Sequence, residues 1–147
     1  MTAPYRVLVV EDDPLFARTL ARVLAHRGMV PTVATCSADA ERAGAGFDVG
    51  VFDIDLPDAS GVELARKLLA QGAVACAVFH SATTSEAVQL EASELGSFCH
   101  KGKGLHALHK MMLDAISDSE TARRAVGAPD DLGDATRFRS GKRPKLI

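Results

Sequence analysis

Four polar groups follow apolar runs in this 147-residue chain and are of types that do chemistry together. Glu11-Asp12-Asp13 follows Val7-Leu8-Val9-Val10, Asp53 follows Val49-Gly50-Val51-Phe52, Ser81 comes just after Ala73–Phe79, and Lys101 follows Ser97–His100. Carboxylates gathered in this number repel one another by about 1–4 kcal/mol per pair at about 4 Å, and a hard divalent cation removes the conflict. Mg²⁺ takes oxygen ligands octahedrally, keeps several waters and uses one or two carboxylates, so Asp12, Asp53 and, through water, Glu11 make a suitable donor set. With its charge screened, Asp53 is a nucleophile for in-line attack on phosphorus. The cation and the Lys101 ammonium would stabilise charge on the transferring oxygens, and Ser81 would hydrogen-bond one of them afterwards. The product is a labile acyl phosphate, a transient modification suited to switching.

Those groups meet only if the intervening elements place them at one edge. From Arg6 onward, short β-branched runs alternate with amphipathic stretches, with cap or turn residues between them, which is the pattern of βαβ units. Val7–Val10 is apolar without period-two alternation, as in a central parallel strand covered on both faces. Asp13 caps a first helix with Pro14 at its first position, Phe16, Leu20, Val23 and Leu24 on one face, and Gly28 at its end. A second strand is expected at Val30–Ala34, a small helix at Ser37–Ala45 and a third strand at Val49–Phe52, where Gly50 suggests close backbone approach. The capping boxes Ser60-Gly-Val-Glu63 and Thr83-Thr-Ser-Glu86 start helices near residues 61 and 84. Ala73–Phe79 reads as the fourth strand and Ser97–His100 as the fifth. Leu105, Leu108, Met111, Met112 and Ile116 mark the apolar face of a fifth helix. Five such units predict an open doubly wound α/β sheet, in which sites gather at the carboxyl ends of the strands. All four polar groups fall on that edge.

The remaining composition sets limits. One ordinary core suits this length, and a net charge of −2 offers no general attraction to nucleic acid or anionic lipid. Cys36, Cys76 and Cys99 form no CxxC and read as buried reduced thiols. No apolar run reaches membrane-spanning length and none resembles a signal peptide, so a soluble cytoplasmic protein is expected. The spacings of His80, His100, His106 and His109 match no ligand set, so these residues read as structural or surface groups, and His26 suits a helix C-terminus. Beyond about Ser117, Gly127, Pro129, Gly133, Gly141 and Pro144 punctuate a polar stretch. The expected division is residues 1–117 as the domain and 118–147 as an extension, either a dimerisation arm or disordered. Its basic end, Arg137, Arg139, Lys142, Arg143 and Lys145, lacks a folded reader and, beyond Phe138, the interleaved aromatics of a nucleic-acid binder.

Across residues 6 to about 117 the chain resembles the receiver domains of two-component response regulators, of the single-domain type. Val7-Leu-Val-Val-Glu-Asp-Asp-Pro14 looks like that family's first strand and acidic pair, which puts the metal carboxylates on Glu11 and Asp12. Phe52-Asp-Ile-Asp-Leu-Pro57 followed by Gly61 resembles the phosphoacceptor segment. The acceptor is then Asp53, with a metal-binding backbone carbonyl on Asp55. Ser81-Ala82 resembles the family's hydroxyl-plus-small pair, Lys101 its lysine, and Phe98 the aromatic that changes rotamer with Ser81 on activation. The resemblance implies a flavodoxin-like five-stranded sheet in the order 2-1-3-4-5 with five helices. It implies Mg²⁺ as cofactor and a histidine kinase or histidine phosphotransfer protein as donor. Output would pass to a downstream protein through the helix 4, strand 5, helix 5 face, without a DNA-binding domain or membrane contact, and a homodimer is compatible with it. Such a bacterial phosphoprotein is not an enzyme with a separate substrate, although it promotes its own phosphorylation and dephosphorylation.

Two residues depart from the pattern. Gly102 replaces the usual proline after the lysine, and because a cis bond there would cost about 2.5–4 kcal/mol, a trans bond and an altered loop are expected. Asp55 adds an acid two residues past the acceptor. Two other readings stay open: a phosphorylation-independent scaffold of the same fold, and a phosphohydrolase resembling the haloacid dehalogenases, whose DxD pair Asp53-Ile-Asp55 echoes.

Overall fold

The computed structural model describes residues 3–127. In chain order the elements are β1 (Arg6–Val10), α1 (Pro14–His26), β2 (Val30–Ala34), α2 (Ser37–Arg42) and β3 (Val49–Phe52). They continue with α3 (Gly61–Ala70), β4 (Ala77–Ser81), α4 (Glu86–Ser93), β5 (Ser97–His100), a 3-10 turn (Lys101–Lys103) and α5 (Leu105–Gly127). The strands pair in parallel in the order β2-β1-β3-β4-β5, the flavodoxin-like arrangement expected. The chain divides into two units, Met1–Ile116 and Ser117–Ile147. The first holds the sheet, and the described part of the second is helical.

Alternate strand residues serve opposite faces. Leu8, Val10, Phe52 and Phe79 pack with Val62, Ala65 and Leu68 of α3 and Ala92 of α4. Val7, Val9, Val51 and Val78 pack with Leu20 and Leu24 of α1 and Leu108, Met112 and Ile116 of α5. Both faces are therefore covered, which is why the central strands read as continuous apolar runs. Because β2 and β3 lie on opposite sides of β1, the winding reverses between β1 and β3, and a crevice opens at their carboxyl ends.

The caps fix where the helices begin. Asp13 Oδ1 accepts from the amides of Leu15 (3.0 Å) and Phe16 (3.3 Å), with Pro14 at the first helical position. Asp58, in the loop after β3, accepts from the amides of Ser37 (2.9 Å) and Ala38 (3.1 Å) and so ties that loop to the start of α2. The Ser37 amide bond holds its carboxyl below the usual carboxylate range.

Several boundaries differ from the sequence expectation. The fourth strand is Ala77–Ser81, and Val74 makes only an isolated bridge to Phe47. His80 and Ser81, polar enough to read as loop, are held in the ladder opposite Cys99 and His100. Helix α4 is capped by Ser85, whose hydroxyl accepts from the Val88 amide, because Thr83 Oγ1 is used by the Ser85 amide. Helix α2 stops at Arg42, before Gly44 and Gly46, both at positive φ. The close approach at Gly50 is that of a side chain: a Cβ there would meet the Phe52 ring at 2.5 Å. Helix α5 runs past Ser117 to Gly127, since Glu120, Ala122, Arg123, Arg124 and Ala125 are good helix formers with no Gly or Pro among them. The basic end of the extension, and any arm beyond Gly127, lie outside the described residues. None of the helices among the described residues is long and apolar enough to cross a membrane.

Candidate phosphoryl-transfer site

The sheet ladder runs one residue past β1 and β3. The Glu11 amide donates to Ala34 O (3.0 Å) and the Asp53 amide to Val10 O (2.9 Å), which fixes both backbones at the crevice. Glu11 and Asp53 are 3% and 7% exposed, so two acids are buried side by side, while Asp12 is exposed. One carboxylate oxygen from each of Glu11, Asp12 and Asp53 lies within 4.8 Å of the others. Asp13 is occupied in capping α1, and its own amide donates to Glu11 Oε2 at 3.2 Å.

Lys101, one residue past β5, reaches across to this pair. Its Nζ lies 2.8 Å from Glu11 Oε1 and 3.1 Å from Asp53 Oδ2. Burial pushes the Glu11 carboxyl up to about 7, although Lys101 and the Asp13 amide pull it down. Burial alone would lower the Lys101 ammonium, but Glu11 and Asp53 together outweigh it and raise it, so the lysine is charged. The cluster thus holds one ammonium among three acids and keeps a surplus of negative charge. Three hard oxygen donors at this spacing suit Mg²⁺, with water completing the shell.

The other expected residues surround this cluster at different ranges. Ser81 is fully buried at the end of β4, and its hydroxyl accepts from the Thr83 amide at 3.3 Å. Asp55 is exposed, and its amide donates to Asp53 Oδ1 at 3.4 Å. Phe98 is half-buried against the core on the α3 and α4 side. The peptide bond between Lys101 and Gly102 is trans. The altered loop is the 3-10 turn Lys101–Lys103, started by a bond from the Gly102 amide to His100 Nδ1 (2.9 Å) and closed by Gly104 at φ +89°.

Two site residues, Phe16 and His80, carry no site signal in the sequence, and Gly61 stands there only as the glycine that follows the acceptor segment. Gly61 packs its Cα against the backbone of Asp53, where a Cβ would lie 1.9 Å from the carbonyl oxygen. Phe16, expected on the buried face of α1, is only half-buried and stands beneath Lys101, whose Nζ is 4.9 Å from the ring centroid. His80 is 2% exposed and stacks on Phe16 at 5.7 Å between centroids and 22° between planes. Spacing on a helix cannot separate an aromatic that faces a site from one that faces a core, so Phe16 left no distinct signal.

A doubly wound sheet in this strand order, with a buried acidic pair at its switch point and a lysine reaching that pair from the end of β5, has the architecture of a receiver domain. The response regulator receiver domain family matches residues 7–113, and the chain belongs to it. It is therefore a protein of two-component signalling. Among curated relatives, the transcriptional regulatory protein CutR of Streptomyces coelicolor is 35% identical over 94 residues, 63% of this chain and 43% of CutR. The sensory transduction protein RegX3 of Mycobacterium bovis is 35% identical over 95 residues, 62% of this chain and 40% of RegX3. The match thus spans less than half the length of these relatives. Among solved structures, a CheY-like receiver domain from Methanospirillum hungatei superposes with a TM-score of 0.74 at 19% identity, covering 81% of this chain and 98% of that one. The response regulator TrrA of Thermotoga maritima, solved in complex with Mg(2+)-BeF, superposes with a TM-score of 0.67 at 21% identity, covering 76% and 98%.

Proposed function

We propose that the chain is a switch that accepts a phosphoryl group on Asp53 from the phosphohistidine of a kinase or phosphotransfer protein. The observation that carries this reading is the convergence of Glu11, Asp12 and Asp53 within 4.8 Å, with Lys101 paired to both buried acids. Glu11, Asp12, Asp53 and the backbone carbonyl of Asp55 would hold Mg²⁺, which when bound neutralises the acids and the charge on the transferring phosphoryl oxygens. An Asp53 oxygen forms the new bond to phosphorus as the bond from phosphorus to the imidazole nitrogen breaks, and that nitrogen leaves with the electron pair. Lys101 exchanges Asp53 for a phosphoryl oxygen, and the Ser81 hydroxyl donates to another. Phe98 then changes rotamer with Ser81, and the altered surface of α4, β5 and α5 is read by a protein partner. Residues 1–117 carry the switch in this reading.

The test is incubation with Mg²⁺ and a small phosphodonor, followed by intact mass and by fluoroberyllate binding. The wild type gains one phosphoryl group, Asp53→Asn gains none and Lys101→Ala gains it slowly. A wild type that stays unmodified with both small donors and a phosphorylated kinase would refute the proposal and favour the scaffold reading.

A further inference from the structure

Resting on that reading, we propose that Phe16 is a positioning residue for Lys101. Its ring, stacked on His80, keeps the ammonium at the site when the carboxylates that now hold it are taken by a cation. Lys101 Nζ is paired at 2.8 Å with Glu11 and 3.1 Å with Asp53, and both of these acids belong to the cation cluster. A divalent ion on those oxygens competes with the ammonium for its counter-charges and repels it. The attraction that remains among the described residues is the face of Phe16, 4.9 Å from Nζ, and a ring of this kind draws a cation without a formal charge to be neutralised.

Three further observations support the assignment. Phe16 is half-buried and absent from both core clusters, so filling the core does not account for an aromatic here. His80, at 2% exposure, packs on that ring, and its Nε2 has no hydrogen-bond partner among the described residues. A neutral imidazole there supports the ring without repelling the ammonium; burial, with the Lys101 charge second, holds His80 down to about 4. Finally, Lys101 opens the 3-10 turn beyond the last rung of β5, so strand pairing does not hold its side chain at the site and its side-chain contacts do.

The test measures phosphorylation by a small phosphodonor at saturating Mg²⁺ in wild type, Phe16→Leu, Lys101→Ala and the double variant, with melting temperatures taken in parallel. Losing the ring should slow phosphorylation roughly five- to thirtyfold, Phe16→Trp should restore the rate, and Phe16→Leu should add less than about twofold once Lys101 is alanine. Progressive ring fluorination at position 16 keeps the shape while draining the ring face, and the rate should fall stepwise with it even if the leucine variant folds poorly. A phosphorylated wild type whose rate ignores fluorination, or a Phe16→Leu effect of equal size in the Lys101→Ala background, overturns this inference alone. A wild type that accepts no phosphoryl group overturns the proposed function and this inference with it.

Discussion

Replacing Gly61 by alanine puts a methyl group into the backbone of the proposed acceptor. The new Cβ would lie 1.9 Å from Asp53 O, 2.8 Å from Asp53 C and 2.9 Å from Ile54 Cα, whereas ordinary contact begins at 3.4 Å. Something must move by about 1.5 Å. Asp53 cannot simply retreat, because its amide is bonded to Val10 O at 2.9 Å, and the start of α3 is held by the Gly61 amide donating to Ile54 O at 2.7 Å. Overpacking of this kind costs about 1–3 kcal/mol, sometimes more, and a reacting group misplaced by about 1 Å can lose about a hundredfold in rate. Gly96→Ala is the matched control, since its Cβ would meet Ala77 O at 2.1 Å, at the opposite end of β4 from the site. Both variants should lose comparable stability in urea titrations. Per folded molecule, Gly61→Ala should be phosphorylated about a hundredfold more slowly by a small donor, and Gly96→Ala within about threefold of wild type. Equal rates for the two variants, or a wild-type rate for Gly61→Ala, would refute the argument that Gly61 sets the acceptor's position.

Three further outcomes are expected. His80 sits at about 4 in the fold against 6.5 ordinarily, so the unfolded chain takes up its proton first as pH falls. Its contribution is complete above pH 6.5 and is lost towards pH 4, of order 2 kcal/mol once solvent screening is allowed for, and urea titrations of His80→Phe should show a shallower acid limb. Asp13→Ala removes the α1 cap and should cost about 1 kcal/mol while leaving Mg²⁺ affinity unchanged; weakened Mg²⁺ binding would make Asp13 a ligand as well as a cap. Lys101→Ala removes a competitor for the same carboxylates and should tighten Mg²⁺ about fivefold at pH 8, from about 1 kcal/mol of relieved repulsion, as read by calorimetry.

Much of this site could be anticipated because its elements obey local rules. Asp13-Pro14 starts α1 where a cap and a preset φ require it, and Val7–Val10 and Val49–Phe52 are the strands whose extended ladder fixes Glu11 and Asp53. The misses occur where tertiary pairing overrides local character. His80 and Ser81 look like loop residues until Cys99 and His100 stand opposite them. Thr83 and Ser85 offer overlapping caps, and only the fold decides which hydroxyl reaches which amide. At α5 the apolar stripe stops near Ile116 while helix propensity continues, so the helix runs on past the end of its apolar face.

The register of β4 and β5 joins the two groups that would grip an incoming phosphoryl group. Ser81 is the rung partner of His100, the residue immediately before Lys101, and two rungs back Phe79 faces Phe98. The hydroxyl and the ammonium are therefore mounted on one crossbar of the sheet, as are the core aromatic and the aromatic proposed to switch. A pull on Ser81 reaches Lys101 through main chain alone, with no helix as intermediary. Under the proposed function, the grip and the gauge that reports it would be parts of the same lever.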